Sequence, residues 1–119
     1  MNRLLIAALA CLSAGAAHAA CIYPHKPDRL PDGRTASYDE MLAAHKQVQQ
    51  FNDDIAAFNA CLDLEMTAYE QSGQYDEARL SELRSMQAKK NNAAVDDVQS
   101  LADAFNEQLR IFKAREKTD

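Results

Sequence analysis

From Tyr38 to Gln71 the chain contains neither proline nor glycine. Apolar residues recur there at Met41, Val48, Ile55, Leu62, Met66 and Tyr69, with Phe51 and Phe58 beside them. Successive gaps of 7, 7, 7, 4 and 3 are helical and close to a heptad. The spacing predicts one helix of about 34 residues, roughly 50 Å long at 1.5 Å per residue. His45, Asn52 and Asn59 fall on the same seam, so it carries polar notches. Ser37-Tyr38-Asp39-Glu40 reads as a capping box, in which Ser37 accepts from the Glu40 amide and Glu40 reaches back to the Ser37 amide. Asp39 and Glu40 also suit the positive end of the helix dipole. A helix this long in a short chain needs an equally long partner to cover its seam.

The first helix should stop at YEQSGQYDEA, residues 69–78, where Gly73 is a C-terminal cap and Asp76 and Glu77 favour a new start. This decapeptide resembles the turn between the two helices of a tetratricopeptide repeat, through Tyr69, Gly73, Tyr75 and Ala78. No second copy follows 34 residues away. The resemblance therefore implies an antiparallel helix-turn-helix and not a peptide-binding superhelix. A second helix is expected over about 76–116, with apolar positions Leu80, Leu83, Ala94, Val98, Leu101, Phe105, Leu109 and Phe112. Lys89-Lys90-Asn91-Asn92 interrupts that stripe as a kink, a break or a polar stretch of one helix; the absence of proline favours one helix. A bend at Gly73 pairs residues whose numbers sum to roughly 150. Met66 then faces Leu83, Ile55 faces Ala94, Val48 faces Leu101, and His45 faces Phe105. The fold class is all-α: a hairpin of two long antiparallel helices, about 37–72 and 76–116, forming one unit over 37–117.

Two segments precede it. Residues 1–19 have a basic start at Arg3, an apolar run from Leu4 to Leu12, and the A-x-A site Ala17-His18-Ala19. This reads as a signal peptide cleaved after Ala19, too short for a membrane span. Its removal takes Cys11 with it and leaves Cys21 and Cys61, an even pair in an oxidising compartment, so a Cys21–Cys61 disulfide is expected. The rival is lipidation of Cys21; His18 is a poor residue for the required apolar position, and lipidation would orphan Cys61. Removal also takes Arg3, leaving 12 basic against 18 acidic residues, a net of −6. That suits solubility and argues against general nucleic-acid binding. No later segment is apolar enough for membrane insertion.

Residues 20–36 form an arm that Pro24, Pro27 and Pro31 keep extended. Pro31-Asp32-Gly33 is turn chemistry. Helical rise from Ser37 to Cys61 is about 36 Å, whereas the arm reaches up to ~55 Å. It can therefore double back along the first helix, with Ile22, Tyr23, Pro24, Pro27 and Leu30 as its buried contacts. A 41-residue loop closed by a disulfide gains about 4 kcal/mol in the chain-entropy view. The pattern C-x2-P-x2-P-x3-P-D-G, a Ser/Thr helix cap and a second cysteine in FNACLDLE resemble a family of small secreted bacterial proteins. The likeness covers roughly Cys21 to Glu65, with weaker echoes in ADAFNEQL. It implies a periplasmic location and brings no known activity.

Chemistry is sparse. Met41 and His45, one turn apart, offer soft ligands, with His25 as a third candidate from the arm, but two such ligands do not define a metal geometry, and packing of His45 on Phe105 is the stronger reading. The doublets Asp53-Asp54 and Asp96-Asp97 and the pair Asp63/Glu65 read as solvated faces, since neighbours on a helix diverge by about 100°. Phe51, Phe58, Phe105 and Phe112 read as core. No nucleophile-base constellation and no haem-attachment motif appear, so no catalytic, cofactor or metal residue is assigned, and the chain is read as no enzyme. Function is expected to be that of a periplasmic interaction or structural module. The alternatives are a chaperone-like or inhibitor protein with an apolar helical face and, more weakly, a metal-binding protein. Tyr38, Leu42, Leu64 and Ile111 lie off the seam and suggest a homodimer or a dedicated protein partner.

Overall fold

The computed structural model describes residues 20–118 and places two helices there, α1 (Tyr38–Ser72) and α2 (Glu77–Glu116), with no strand among the described residues. The signal-peptide reading lies outside the described residues. α1 begins in the expected capping box: Glu40 N donates to Ser37 Oγ at 3.2 Å and Ser37 N donates to Glu40 Oε2 at 2.7 Å. Those bonds also hold the Glu40 carboxyl below its ordinary pKa. α1 ends at Gly73, whose φ of 65° is the left-handed conformation glycine tolerates best. Asp76 caps α2, accepting from Arg79 N at 2.8 Å. The turn between them is stitched from both sides. Arg84 reaches Glu70 at 2.9 Å and Glu77 at 2.8 Å, and Tyr69 meets Tyr75 edge to face at 5.5 Å.

α2 runs unbroken through Lys89–Asn92. Lys89, Lys90 and Asn92 point to solvent, while Asn91 turns half-buried toward α1. The expected pairing holds. His45 stacks on Phe105 at 5.9 Å, and Gln87 donates to Asp63 at 2.6 Å, both pairs summing to 150. Asn59 and Asn91 sit at the same register, and the Oδ1 atoms of both are buried without a hydrogen-bond partner.

The core is one thin sheet of side chains between the helices. Phe51, Ile55, Phe58 and Leu62 of α1 pack with Ala94 and Leu101 of α2; toward the open end, Met41, Ala44, Phe105 and Phe112 continue it. Each large apolar side chain so buried contributes roughly 1.5–3 kcal/mol. Leu30, from the arm, packs against both halves. The arm is therefore the third layer of the core.

Candidate functional site

A two-helix hairpin has two grooves, one on each side of its seam. The arm fills one. Its head is fixed by the Cys21–Cys61 disulfide, with Cα atoms 5.8 Å apart. Extended backbone turns alternate residues to opposite sides. Cys21 is held inward, Tyr23 meets the edge of Phe58 at 5.2 Å, and Ile22 between them is left 84% exposed. The expectation that Ile22 is a buried contact is thus corrected by this alternation, and Tyr23, also expected to be buried, stays 41% exposed because it covers Phe58 from the outside with its hydroxyl on Asp97.

Polar bonds tie the arm to α2. Tyr23 donates its hydroxyl to Asp97 Oδ2 at 2.6 Å, and Lys26 Nζ reaches Asp97 Oδ1 at 3.3 Å. Gly33 N donates to Gln108 Oε1 at 2.9 Å, and Arg115 donates to the Ala36 carbonyl at 2.8 Å. Asp97, expected to be solvated, is half-buried beneath the arm. Gly33 lies in the expected turn, closed by bonds from Thr35 N and Ala36 N to the Asp32 carbonyl, and is also buried against the α2 backbone. Ile111 is half-buried beside Leu30 and Pro31. The signal for these docking positions was a second stripe on α2, at Asp97, Ala104, Gln108 and Ile111, which shares one side of the helix.

Tyr23 and Asp97 perturb each other. Partial burial of the phenol, then its bond to Asp97 and that residue's charge, push Tyr23 up to about 12. The bonds from Tyr23 and Lys26 hold Asp97 below the ordinary carboxylate range. A raised phenol pKa gives stability that is complete below pH ~10 and lost as pH rises through the folded value. A depressed carboxyl pKa gives stability present above pH ~4 and lost as pH falls through its folded value. Arm docking is therefore strongest between those limits. In an ultraviolet titration, Tyr23 is expected to ionise near the value of about 12, and Asp97→Asn is expected to lower it only part of the way, since burial is the largest cause of the shift and remains. A Tyr23 that titrates normally in the native chain would remove this contact.

The opposite groove is open. Leu42, His45, Gln49, Asn52, Ala56 and Asn59 follow one another along α1 in alternating steps of three and four residues, on the side away from the arm. Asn92, Val95, Gln99, Ala102, Asn106 and Leu109 do the same along α2. Neither row contains a carboxylate, lysine or arginine, in a chain where 26% of residues are charged. Val95 is 56% exposed and Leu42 39% exposed. At the open end this side sinks into an apolar hollow of about 270 Å³ lined by Met41, Leu42, Phe105, Leu109 and Phe112, with Tyr38, His45 and Lys113 around it. A second hollow beside Val48, Gln49, Asn52, Val98 and Ala102 has Asp53 at its outer edge.

Met41 and His45 share the first of these hollows, but His25 lies elsewhere. It pairs with Asp28 at 3.5 Å and lines a separate hollow with Gln47, Gln50 and Asp54. The three are not brought together. Among the described residues no group of three His, Cys, Asp or Glu side chains is placed to hold a metal ion, and no helix is long and apolar enough to cross a membrane. No family model matches this chain, and no curated protein or solved structure matches it either.

Proposed function

We propose that this chain is a non-enzymatic helical interaction module of the bacterial periplasm or exterior, and that it works by presenting its open groove to a protein. The carrying observation is the asymmetry of the hairpin. One groove is closed by an arm fastened with a disulfide and four polar bonds, and the other is left as an uncharged, partly apolar row on two rigid helices. A disulfide suits an oxidising compartment. Rigid presentation lowers the ordering cost that a partner would otherwise face on binding.

A second reading, a chaperone-like or inhibitor protein, draws support from the apolar hollow at the open end, which the adaptable Met41 lines together with Leu42 and Leu109. The two readings separate by crosslinking in cells. A photo-reactive residue in place of Val95 is expected to give one discrete protein adduct, and the same residue at Ala60 on the outer surface of α1 is expected to give none. A broad ladder of adducts from Val95 would favour the client-binding reading. No adduct at Val95 would contradict both.

A further inference from the structure

We infer that the apolar hollow at the open end of the hairpin binds a single acyl chain ending in a carboxylate, with its head at Lys113 and Tyr38 and its tail between the helices toward His45. The inference goes beyond the reading of the groove as a protein-binding surface and does not rest on it.

The walls select a hydrocarbon tail. Of the apolar side chains that line the hollow, Met41, Phe105 and Phe112 are buried, Leu109 is half-buried and Leu42 is 39% exposed. From Met41 to His45 and from Phe105 to Leu109 both helices are continuous, so their backbone groups are bonded internally. An occupant with amides along its length would give up water there and find no partner, whereas a hydrocarbon tail loses nothing. From Tyr38 to His45 is seven helical steps, about 10 Å. A volume of about 270 Å³ is at the small end of ligand cavities. Those dimensions admit one medium-length chain and not a two-tailed lipid.

The rim selects an anionic head. Tyr38 and Lys113 line the hollow from opposite helices at nearly the same register. A carboxylate accepts from a phenol and an ammonium at once. Among the described residues neither side chain makes a hydrogen bond or an ion pair, and the His45 imidazole makes none either.

No carboxylate lines the hollow, in a chain with 18 acidic residues and a formal net charge of −5. Of the acidic residues nearby in sequence, Glu40 is bound to Ser37, Glu107 to Arg110 and Glu116 to Arg115. Asp39 is turned about 100° round α1 from Tyr38. Lys46 and Lys117, both exposed and without an ion pair among the described residues, add positive charge at the same end. An acidic chain thus surrounds this apolar hollow with an excess of cations, which is complementary to an amphipathic anion.

The test is a titration of the disulfide-intact chain with decanoate, below the concentration at which decanoate aggregates, followed by methyl NMR of the methionines. Met41 lines the hollow, while Met66 and Met86 line a different one near the turn and serve as internal controls. The Met41 methyl is expected to shift saturably, with a dissociation constant of about 0.1–1 mM for a ligand of this size, and the other two are expected to stay in place. Lys113→Glu is expected to weaken binding about tenfold, and Tyr38→Phe by a smaller factor. Decanol, with the same tail and no charge, is expected to bind more weakly than decanoate and to be indifferent to Lys113→Glu. Circular dichroism confirms that each variant is folded, and Lys113 is exposed, so its replacement leaves the core intact. Equal shifts at all three methionines, no saturable shift at Met41, or an affinity unchanged by Lys113→Glu would overturn the proposal. So would a short apolar peptide with a free C-terminal carboxylate that binds Met41's hollow more tightly than decanoate. Crosslinking from Val95 reads the protein partner and the Met41 methyl reads the acyl ligand, so either can fail while the other stands.

Discussion

Replacing both Cys21 and Cys61 by serine is expected to cost about 4 kcal/mol, the largest loss from any local change that leaves the helices' own sequence pattern intact. The bridge spans a sequence separation of 40, so it removes a large loop-closure entropy from the unfolded chain. The folded side is affected too. Without the bridge the head of the arm is held only by Tyr23 and Lys26 on Asp97, in part-exposed positions where such bonds are worth little. Phe58 then loses its cover from Tyr23, and the core behind it faces water. A thin core of this kind has a total stability of only a few kcal/mol to draw on. Urea unfolding of the double variant against the oxidised wild type is the measurement. The midpoint is expected to fall sharply, while the helical far-ultraviolet signal persists in part. An unchanged midpoint would mean that the arm adds nothing to the folded state.

The second large effect is expected at Gly33. A Cβ built on Gly33 would sit 2.2 Å from the carbonyl oxygen of Gln108 and 2.9 Å from the amide nitrogen of Phe112. Both atoms belong to the backbone of α2, and neither can move without distorting the helix. Gly33→Ala must therefore push the arm outward. That breaks the bond from Gly33 N to Gln108 and loosens Leu30 and Ala36 from the core. Overpacking of this kind costs about 1–3 kcal/mol, and the lost bond adds about 1 kcal/mol. Gly73 makes the instructive contrast. It has a φ of 65° but nothing within 4 Å of a built Cβ. Gly33 is needed for room, Gly73 for conformation. Gly73→Ala is expected to cost about 1 kcal/mol, through backbone strain alone. Thermal unfolding of the two alanine variants should rank Gly33→Ala as clearly the worse. The reverse order would mean that the arm does not rest on α2 as described.

The hairpin was legible because its determinants are local or periodic. The seam of α1, the capping box at Ser37, the stop at Gly73 and the start at Asp76 each follow from residues within a turn of one another. One bend then sets the register of the whole hairpin, which is why His45 could be matched to Phe105 and Asn59 to Asn91 across forty residues or fewer on either side of it. The arm was legible only as far as its reach and its cysteine. Its contacts with Asp97, Gln108 and Arg115 lie 71 to 79 residues away in sequence, and no local rule connects them. Counting apolar residues in the arm placed Ile22 inside, whereas alternation along extended backbone turns it out. Asp97 looked like half of a solvated doublet because a helix wheel without the arm leaves that side open. The uncharged row on the other side was in the sequence all along, as steps of three and four from Leu42 to Asn59 and from Asn92 to Leu109. It stood out only once the arm's side was known.

The central claim is that the arm closes one side of the hairpin and leaves the other as the working surface. Hydroxyl-radical footprinting of the dilute, disulfide-intact chain, read residue by residue by mass spectrometry, addresses it most directly. Leu42 and Val95 are expected to be modified rapidly, and Phe58, Leu30 and Ile111 slowly. Rapid modification of Leu30 and Ile111 in the dilute oxidised chain, at rates matching those of Leu42 and Val95, would contradict it.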